Sequence, residues 1–496
     1  MEAFLEWAIA HDAHLLPSLE VRDGPRGRGL FARSAIRAGV RLCRVPDALR
    51  LDPPPSLASS CGSLLALSIR LLHETHVASP PSPYASLLAA STPPRLPLLW
   101  PPHECEHLAG TSLLPPGLSP SAAAAAVAAA ATRAFDDDVT PRLAAVDAAY
   151  LPPQLATRAA LSTALAWVIS RSVRGTVNYE AQAASVWPYL RADGPPDRAD
   201  GPFLLPLFDL VNHASREEER STVLRRAAEG GAFELYAERD IAAGEEVLQS
   251  YGPLGAAELL RSYGFVEESP HSSLSATHEE LIDALVAISP RRGDRRAKAR
   301  AKAEERMDAL KRAERLPVLF QIGAQEISSH LLTAAQVLVM SDEEYEEWLE
   351  VGISLGEEFL DEESLSAVQS CLLNLADGCA RRHHAALPAG DKEEADSAAG
   401  LCAALRKEEK RVLLAFKKAV LMLQPGCNEG DEEGEGEGEV EEDEEGEGDG
   451  DGDGEAEEPN AVEERTVVGD GGVTGEREGE EGRRPSKLAK REAYAA

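Results

Sequence analysis

Apolar positions along the chain change period several times, and each change predicts a different kind of element. The opening FLEWAIAHDAHL places Phe4, Leu5, Ala8 and Ile9 at helical spacing, which predicts a short amphipathic helix. Residues 19–53, LEVRDGPRGRGLFARSAIRAGVRLCRVPDALRLDP, break into short β-like runs between glycine-rich turns, a compact β unit. From about 56 to 200 the text turns Leu- and Ala-rich and helical, interrupted by proline clusters. Within it SAAAAAVAAAATRAF has high helix propensity and says little about what it packs against. The β character returns in GPFLLPLFDLVNH, STVLRRAA and AFELYAERDIAAGEEVLQSYG. The two β-rich blocks read as halves of one sheet-based domain, with the helical text between them as a large insertion. From about 275 to 425, segments such as EELIDALVAI, AQEISSHLLTAAQVLV and EEKRVLLAFKKAVLML carry apolar residues three and four apart, which predicts a helical domain.

Composition changes this picture mainly at the end of the chain. A length of 496 residues implies roughly two or three domains. The net charge is −35, of which the 27 acidic and 7 basic residues from Cys427 onward account for −20. The rest is only moderately acidic, so its charge balance does not suggest a nucleic-acid surface. DEEGEGEGEVEEDEEGEGDGDGDGEAEE cannot bury enough apolar surface to offset its ordering entropy, and disorder is expected there. The basic GRRPSKLAKR beyond it reads either as a solvated end or as a nuclear-import signal. Cysteines 43, 61, 105, 371, 379, 402 and 427 form no CxxC pair, which favours a reducing compartment and buried thiols. No apolar run reaches the roughly 18 residues of a membrane span, and MEAFLEWAIA lacks a basic leader pattern. The expectation is a soluble protein of the cytoplasm or nucleus, with a plastid less favoured.

Four places hold candidate chemistry. RGRGL has Gly27 and Gly29 between strand-like runs, suited to a tight turn or to close backbone approach. LPLFDLVNH ends an apolar strand in Asp209, Asn212 and His213, polar groups that need partners and sit on a rigid element. HECEH spaces His103 and His107 four apart, but it is not HExxH and follows two prolines, so no metal site is expected. Tyr251 and Tyr263 are each followed by glycine within twenty residues of each other. Either is explained singly as a core aromatic; a phenol can also donate or accept a hydrogen bond, and its ring can border a cation.

Taken together, FLEWA, GPRGRGLFARSAIRAGV, HLAGTSLL, WVISRSV, LPLFDLVNHAS and AAGEEVLQSYGPLGAAELLRSYGFV resemble, in this order, the SET-domain protein methyltransferases, in the branch of the Rubisco large-subunit lysine methyltransferase. The resemblance is strong over residues 1–266 and weaker to about 425. It implies an α+β fold: a β-rich SET domain (1–266) with a knot-like core and a helical insertion at about 56–200. An all-α substrate-binding-like domain (275–425) and an acidic disordered tail (427–496) would follow. It also implies S-adenosylmethionine as cofactor, with no metal, and a protein substrate whose side chain enters from the opposite side. Carried over by position, Arg26, Gly27 and Arg28 would line the cofactor with their backbone, and Arg171 would pair with its carboxylate. Asn212 and His213 would hold it largely through main chain, with Asp209 supporting their strand. Tyr251 matches the family's active-site tyrosine, and Tyr263, Gly264 and Phe265 would close the pocket. The cysteine-rich zinc element of histone-directed members does not follow Gly264, so the helical domain would complete the channel and the substrate would be a non-histone protein. A histidine acceptor is the alternative within the branch. The alternative outside catalysis is a scaffold that holds a basic partner through its helical domain and acidic tail. Direct contact with nucleic acid or membrane is not expected.

Overall fold

The computed structural model describes residues 1–114, 118–173, 202–288, 294–313, 316–351, 362–383 and 397–424. The linker RADGPPDRADG and the acidic tail from Cys427 lie outside the described residues. The opening helix α1 (Glu2–Ala10) buries Phe4 and Ala8, while Ile9, expected on the same face, is 58% exposed. Strands β1 (His14–Leu15), β2 (Leu19–Gly24), β3 (Gly27–Ala32) and β4 (Arg41–Pro46) follow. The insertion then supplies α2 (Pro55–Cys61), α3 (Ser63–His76), α4 (Pro83–Ala89), α5 (Pro102–Cys105), α6 (Pro120–Arg133), α7 (Thr140–Leu143) and α8 (Arg158–Arg171). Sequence sets several of these starts. Ser82, Ser119 and Thr157 accept the backbone N–H of Ala85, Ala122 and Ala160, and Pro83 and Pro120 occupy first positions where no N–H is needed.

The second β block consists of β5 (Ser172–Val173), β6 (Phe203–Leu204), β7 (Asn212–His213), β8 (Thr222–Arg226), β9 (Ala232–Ala237) and β10 (Leu248–Gln249). The two blocks do form one sheet, ordered β1-β4-β9-β8, in which Cys43 of the first block pairs with Leu235 of the second. β2 and β3 make a hairpin from Leu19↔Ala32 to Gly24↔Gly27. β10 lies parallel to β7, Leu248 opposite Asn212. The same short stretch is held by β3 through Val247 N–H to the Leu30 carbonyl, and by Ser221, whose N–H reaches the Leu248 carbonyl. Residues 247–249 are thus bonded to three earlier segments: β3, β7 and Ser221.

After α9 (Ala256–Tyr263) come β11 (Ser273–Ala276), α10 (His278–Ile288), α11 (Asp294–Arg312), β12 (Phe320–Gly323), α12 (Ser329–Val339), α13 (Asp342–Val351), α14 (Glu362–His383) and α15 (Ala398–Met422). The region expected to be all-α therefore carries an antiparallel ribbon as well, with Ser273↔Gly323 and Ala276↔Phe320 at its ends. SLSA and FQIG are too short for a period to stand out, and their pairing spans a whole helical hairpin.

Two hydrophobic cores result. One joins the strands of the two β blocks to the insertion helices; the other fills the space among α10, α11, α12, α14 and the ribbon. α15 belongs to both: Ala398, Leu401, Cys402 and Leu405 sit in the first, and Val412, Leu413, Phe416, Val420 and Leu423 in the second. Its 25 residues make a rod of about 37 Å at about 1.5 Å per residue, long enough to tie the two together.

Candidate active site

LPLFDLVNH does not fold as one strand, contrary to the expectation. Pro206 has no N–H for a ladder, Leu207 adopts φ 72°, and residues 208–210 form a tight 3-10 turn before β7. The turn inserts Asp209 into the protein rather than along a sheet face.

Asp209 is met there by two side chains. Arg171, at the last position of α8, donates from Nη1 to the Asp209 carbonyl at 2.9 Å and lies 3.4 Å from Oδ2. Tyr84, buried on α4, donates its hydroxyl to the same Oδ2 at 3.1 Å. Burial pushes the Asp209 carboxyl up, and Arg171, Tyr84 and Arg28 oppose that shift. The Arg171 guanidinium lies over the Trp167 ring, 4.9 Å from its centroid, so the fork is held by stacking as well as by charge. Among the described residues, Arg171 Nε and Asp209 Oδ1 are buried and meet no hydrogen-bond partner.

The two glycines of RGRG do different jobs. Gly27 has φ +85° at the end of the β2–β3 turn. Gly29 gives room: a Cβ there would lie 2.6 Å from Glu246 Oε1 and 2.8 Å from Asn212 Nδ2. That space is where Asn212 Nδ2 donates to Glu246 Oε1 at 2.7 Å and approaches the Arg28 carbonyl at 3.2 Å. Arg26 ties the hairpin down from outside, to Glu219 at 2.8 Å, Glu267 at 3.4 Å and Glu246 at 3.8 Å.

His213 and the tyrosines form an aromatic group. The ring centroids of His213 and Tyr251 are 5.0 Å apart, those of Tyr251 and Tyr263 4.7 Å, and Phe265 lies 6.2 Å from both His213 and Tyr263. His213 Nδ1 accepts the Tyr251 N–H at 3.0 Å, which places the ring proton on Nε2, 3.0 Å from Ser215 Oγ. Burial, aided by the charges of Arg26 and His271, pushes the imidazole down to about 4. The Tyr251 hydroxyl donates to the Val211 carbonyl at 2.8 Å, and burial holds it far above the ordinary phenol range. Gly264 ends α9 with φ +81° and packs on the Arg95 backbone, where a Cβ would lie 2.9 Å from its nitrogen.

The residues that the resemblance assigns to the site, Arg26, Gly27, Arg28, Arg171, Asp209, Asn212, His213, Tyr251, Tyr263, Gly264 and Phe265, all line one cavity of about 1520 Å³, whereas Gly29, His103 and His107 do not. Leu401 and Ala404 of α15 line it too, so the helical region does reach the site. Sequence reasoning missed Tyr84, Trp167 and Glu246. The second acidic residue of AGEEV was in view, but nothing local marks it as the partner of Asn212. His103 lies on α5, and the His107 carbonyl accepts a hydrogen bond from Arg406. Among the described residues, three or more potential metal-binding side chains gather nowhere.

Comparison with known proteins agrees with this geometry. Residues 27–252 match the SET domain family. The chain is 27% identical over 386 residues to N-lysine methyltransferase SETD6 of Mus musculus, covering 73% of this chain and 75% of that one. It is 25% identical over 345 residues to N-lysine methyltransferase SETD6 of Homo sapiens, covering 65% and 66%. Among solved structures, the SET domain of LSMT bound to MeLysine and AdoHcy superposes with a TM-score of 0.55 at 13% identity, over 85% of this chain and 91% of that one. Rubisco LSMT bound to AdoMet gives 0.53 at 14% identity, over 85% and 91%. Residues 27–252, which hold β3, β7 and β10, thus match the SET domain, and the chain as a whole is similar in sequence to the N-lysine methyltransferases SETD6 and in fold to Rubisco LSMT.

Proposed function

We propose that this chain is an S-adenosylmethionine-dependent protein-lysine N-methyltransferase acting on a non-histone protein. One observation carries the site assignment: Arg171 and Asp209 both line the cavity and are paired there, a cation beside an anion. A guanidinium beside a carboxylate fits a zwitterion, the amino-acid end of S-adenosylmethionine, with the guanidinium toward the carboxylate and the aspartate toward the ammonium. When bound, S-adenosylmethionine supplies an electrophilic methyl group on a positively charged sulfur.

The remaining work falls to this chain. The side chains of Asn212 and His213 are spent on Glu246, Arg28, Ser215 and the Tyr251 N–H. Main-chain groups of β7, and of Arg26, Gly27 and Arg28 in the hairpin, are what they offer a ligand. Tyr251 stays a neutral phenol, and its oxygen keeps lone pairs to face a polarised methyl group or an incoming amine. With Tyr263 and Phe265 it forms a wall that excludes water, while Gly264 seats the turn on Arg95. Both ring nitrogens of His213 are committed, so the imidazole orients Tyr251 and is not a general base. The substrate lysine, with an ordinary pKa of about 10.4, must enter as the free amine; dry walls and a nearby cation both favour that form. Its proton is left to bulk water before the nitrogen and the methyl carbon are aligned.

The relatives named N-lysine methyltransferase support lysine as the acceptor. We place the protein in the cytoplasm or nucleus, since the cysteines of the described residues are free and buried. The acidic segment after Cys427 is assigned to basic partners by charge. The test is transfer of labelled methyl from S-adenosylmethionine into a protein extract, followed by complete hydrolysis. Labelled methyl-lysine is the expected product. Methyl-histidine would move the acceptor, and a protein that neither binds S-adenosylmethionine nor labels any extract would be a scaffold.

A further inference from the structure

We infer that Tyr84 is a positioning residue for the donor end of the cavity: its hydroxyl fixes the Asp209 carboxylate, and through it the Arg171 guanidinium, in the orientation that receives a zwitterionic amino acid. This rests on the proposed use of S-adenosylmethionine and adds to it a residue outside the SET core.

The geometry is a relay across three elements. Tyr84 sits on α4 of the insertion, 2% exposed, its ring 5.8 Å from that of Phe4 on α1. Its hydroxyl meets Asp209 Oδ2 at 3.1 Å, and the same oxygen lies 3.4 Å from Arg171 Nη1. Both donors meet Oδ2, and Arg171 also spends Nη1 on the Asp209 carbonyl, so one edge of the guanidinium is committed to Asp209. Without the hydroxyl, Oδ2 would lose its shorter contact and keep the longer one to Arg171, and the carboxylate would be freer to rotate. That rotation would shift the guanidinium it holds and change the charge the pair presents to the ligand.

α4 also has a second hold on the site. One turn past Tyr84, Leu87 and Leu88 line the cavity, and the loop that follows ends at Arg95, whose backbone carries Gly264. The helix and its loop form a strut between the Arg171–Asp209 pair and the Tyr263–Phe265 turn. Tyr84 pins one end of it.

The charged and titratable groups facing Asp209 are Arg171 from α8, Tyr84 from α4 and Arg28 from β3. Losing the hydroxyl removes one of the influences that keep the carboxyl ionised, so donor binding should fail at a higher pH in the variant. A merely structural role would not move that limb.

The experiment is titration of the full chain with S-adenosylhomocysteine by calorimetry between pH 5.5 and 8.5, for the wild type and Tyr84→Phe. Thermal melting without ligand and steady-state turnover accompany it. The expected result is Kd raised about five- to twentyfold at pH 7.5, an acid limb displaced upward, and turnover at saturating donor within about threefold of wild type. In an Asp209→Asn background, Tyr84→Phe should add little, because the two act as one unit. An unchanged Kd, an equal loss in both backgrounds, or a Tyr84→Phe chain that fails to fold would each overturn the inference; the last would make the hydroxyl a structural prop. A wild type that does not bind S-adenosylhomocysteine would overturn the donor assignment itself, an outcome distinct from wild-type binding that Tyr84→Phe leaves intact.

Discussion

Glu409 of α15 is buried, and its Oε1 accepts the N–H of Ser112 from the insertion at 2.7 Å. Burial pushes its carboxyl up to about 7, against the pull of Ser112, Arg406 and Arg382. A carboxyl raised in the folded state binds its proton more tightly there than in the unfolded chain. The folded protein must give that proton up as pH rises from about 4.5 through about 7, so stability falls across that window and levels off above it. A rise from the ordinary value of 4.5 to about 7 corresponds to about 3 kcal/mol between the two limits, at about 1.4 kcal/mol per pH unit. Glu409→Gln keeps an acceptor for Ser112 and removes the charge. It should match wild type near pH 5 and exceed it by about 1–3 kcal/mol at pH 8, read from urea midpoints at half-unit intervals. A difference that is the same at pH 5 and pH 8, or a variant less stable than wild type at pH 8, would refute the assignment of a buried, titrating carboxyl.

Three further perturbations follow from the described contacts. Arg306, 1% exposed, caps the end of α12 by donating to the carbonyls of Val337, Leu338, Met340 and Ser341. Arg306→Ala should cost about 3 kcal/mol or more in denaturant unfolding, and a loss under 1 kcal/mol would contradict it. Gly29→Ala should displace the Asn212–Glu246 bond and weaken S-adenosylhomocysteine binding at least tenfold, about 1.4 kcal/mol, whereas unchanged calorimetry would show that the pair can yield. Tyr251→Phe should cut turnover at least tenfold, about 1.4 kcal/mol of barrier, with donor binding largely kept; unchanged turnover would remove the hydroxyl from the mechanism.

The residues that could be read from the sequence are those whose role leaves a local signature. DLVNH, YG and YGF stand out because polar or aromatic groups interrupt an apolar text, and the structure brings all of them to one cavity. The short β-like runs at 41–46 and 232–237, set off by glycine-containing turns, marked two halves of one sheet, and they pair in it. Tyr84 did not stand out: a tyrosine in PSPYASLL looks like any aromatic in a leucine-rich helix until Asp209, 125 positions away, is seen against it. Glu246 was hidden for the same reason, since its partner Asn212 lies across a strand crossing. The ribbon of β11 and β12 escaped because four-residue strands joined over a long helical segment carry too few alternations to outvote the helical period around them.

The order in which the molecule is synthesised gives α15 one more consequence. Leu401, Cys402 and Leu405 fill the core built on the SET strands, yet they leave the ribosome about 150 residues after the last strand of that core. At about 5–20 residues per second the nascent chain spends roughly 8–30 s with that gap open. During that interval the cavity wall that Leu401 and Ala404 supply is absent. The pocket is therefore finished only once α15 has emerged, well after the strands that carry most of its lining.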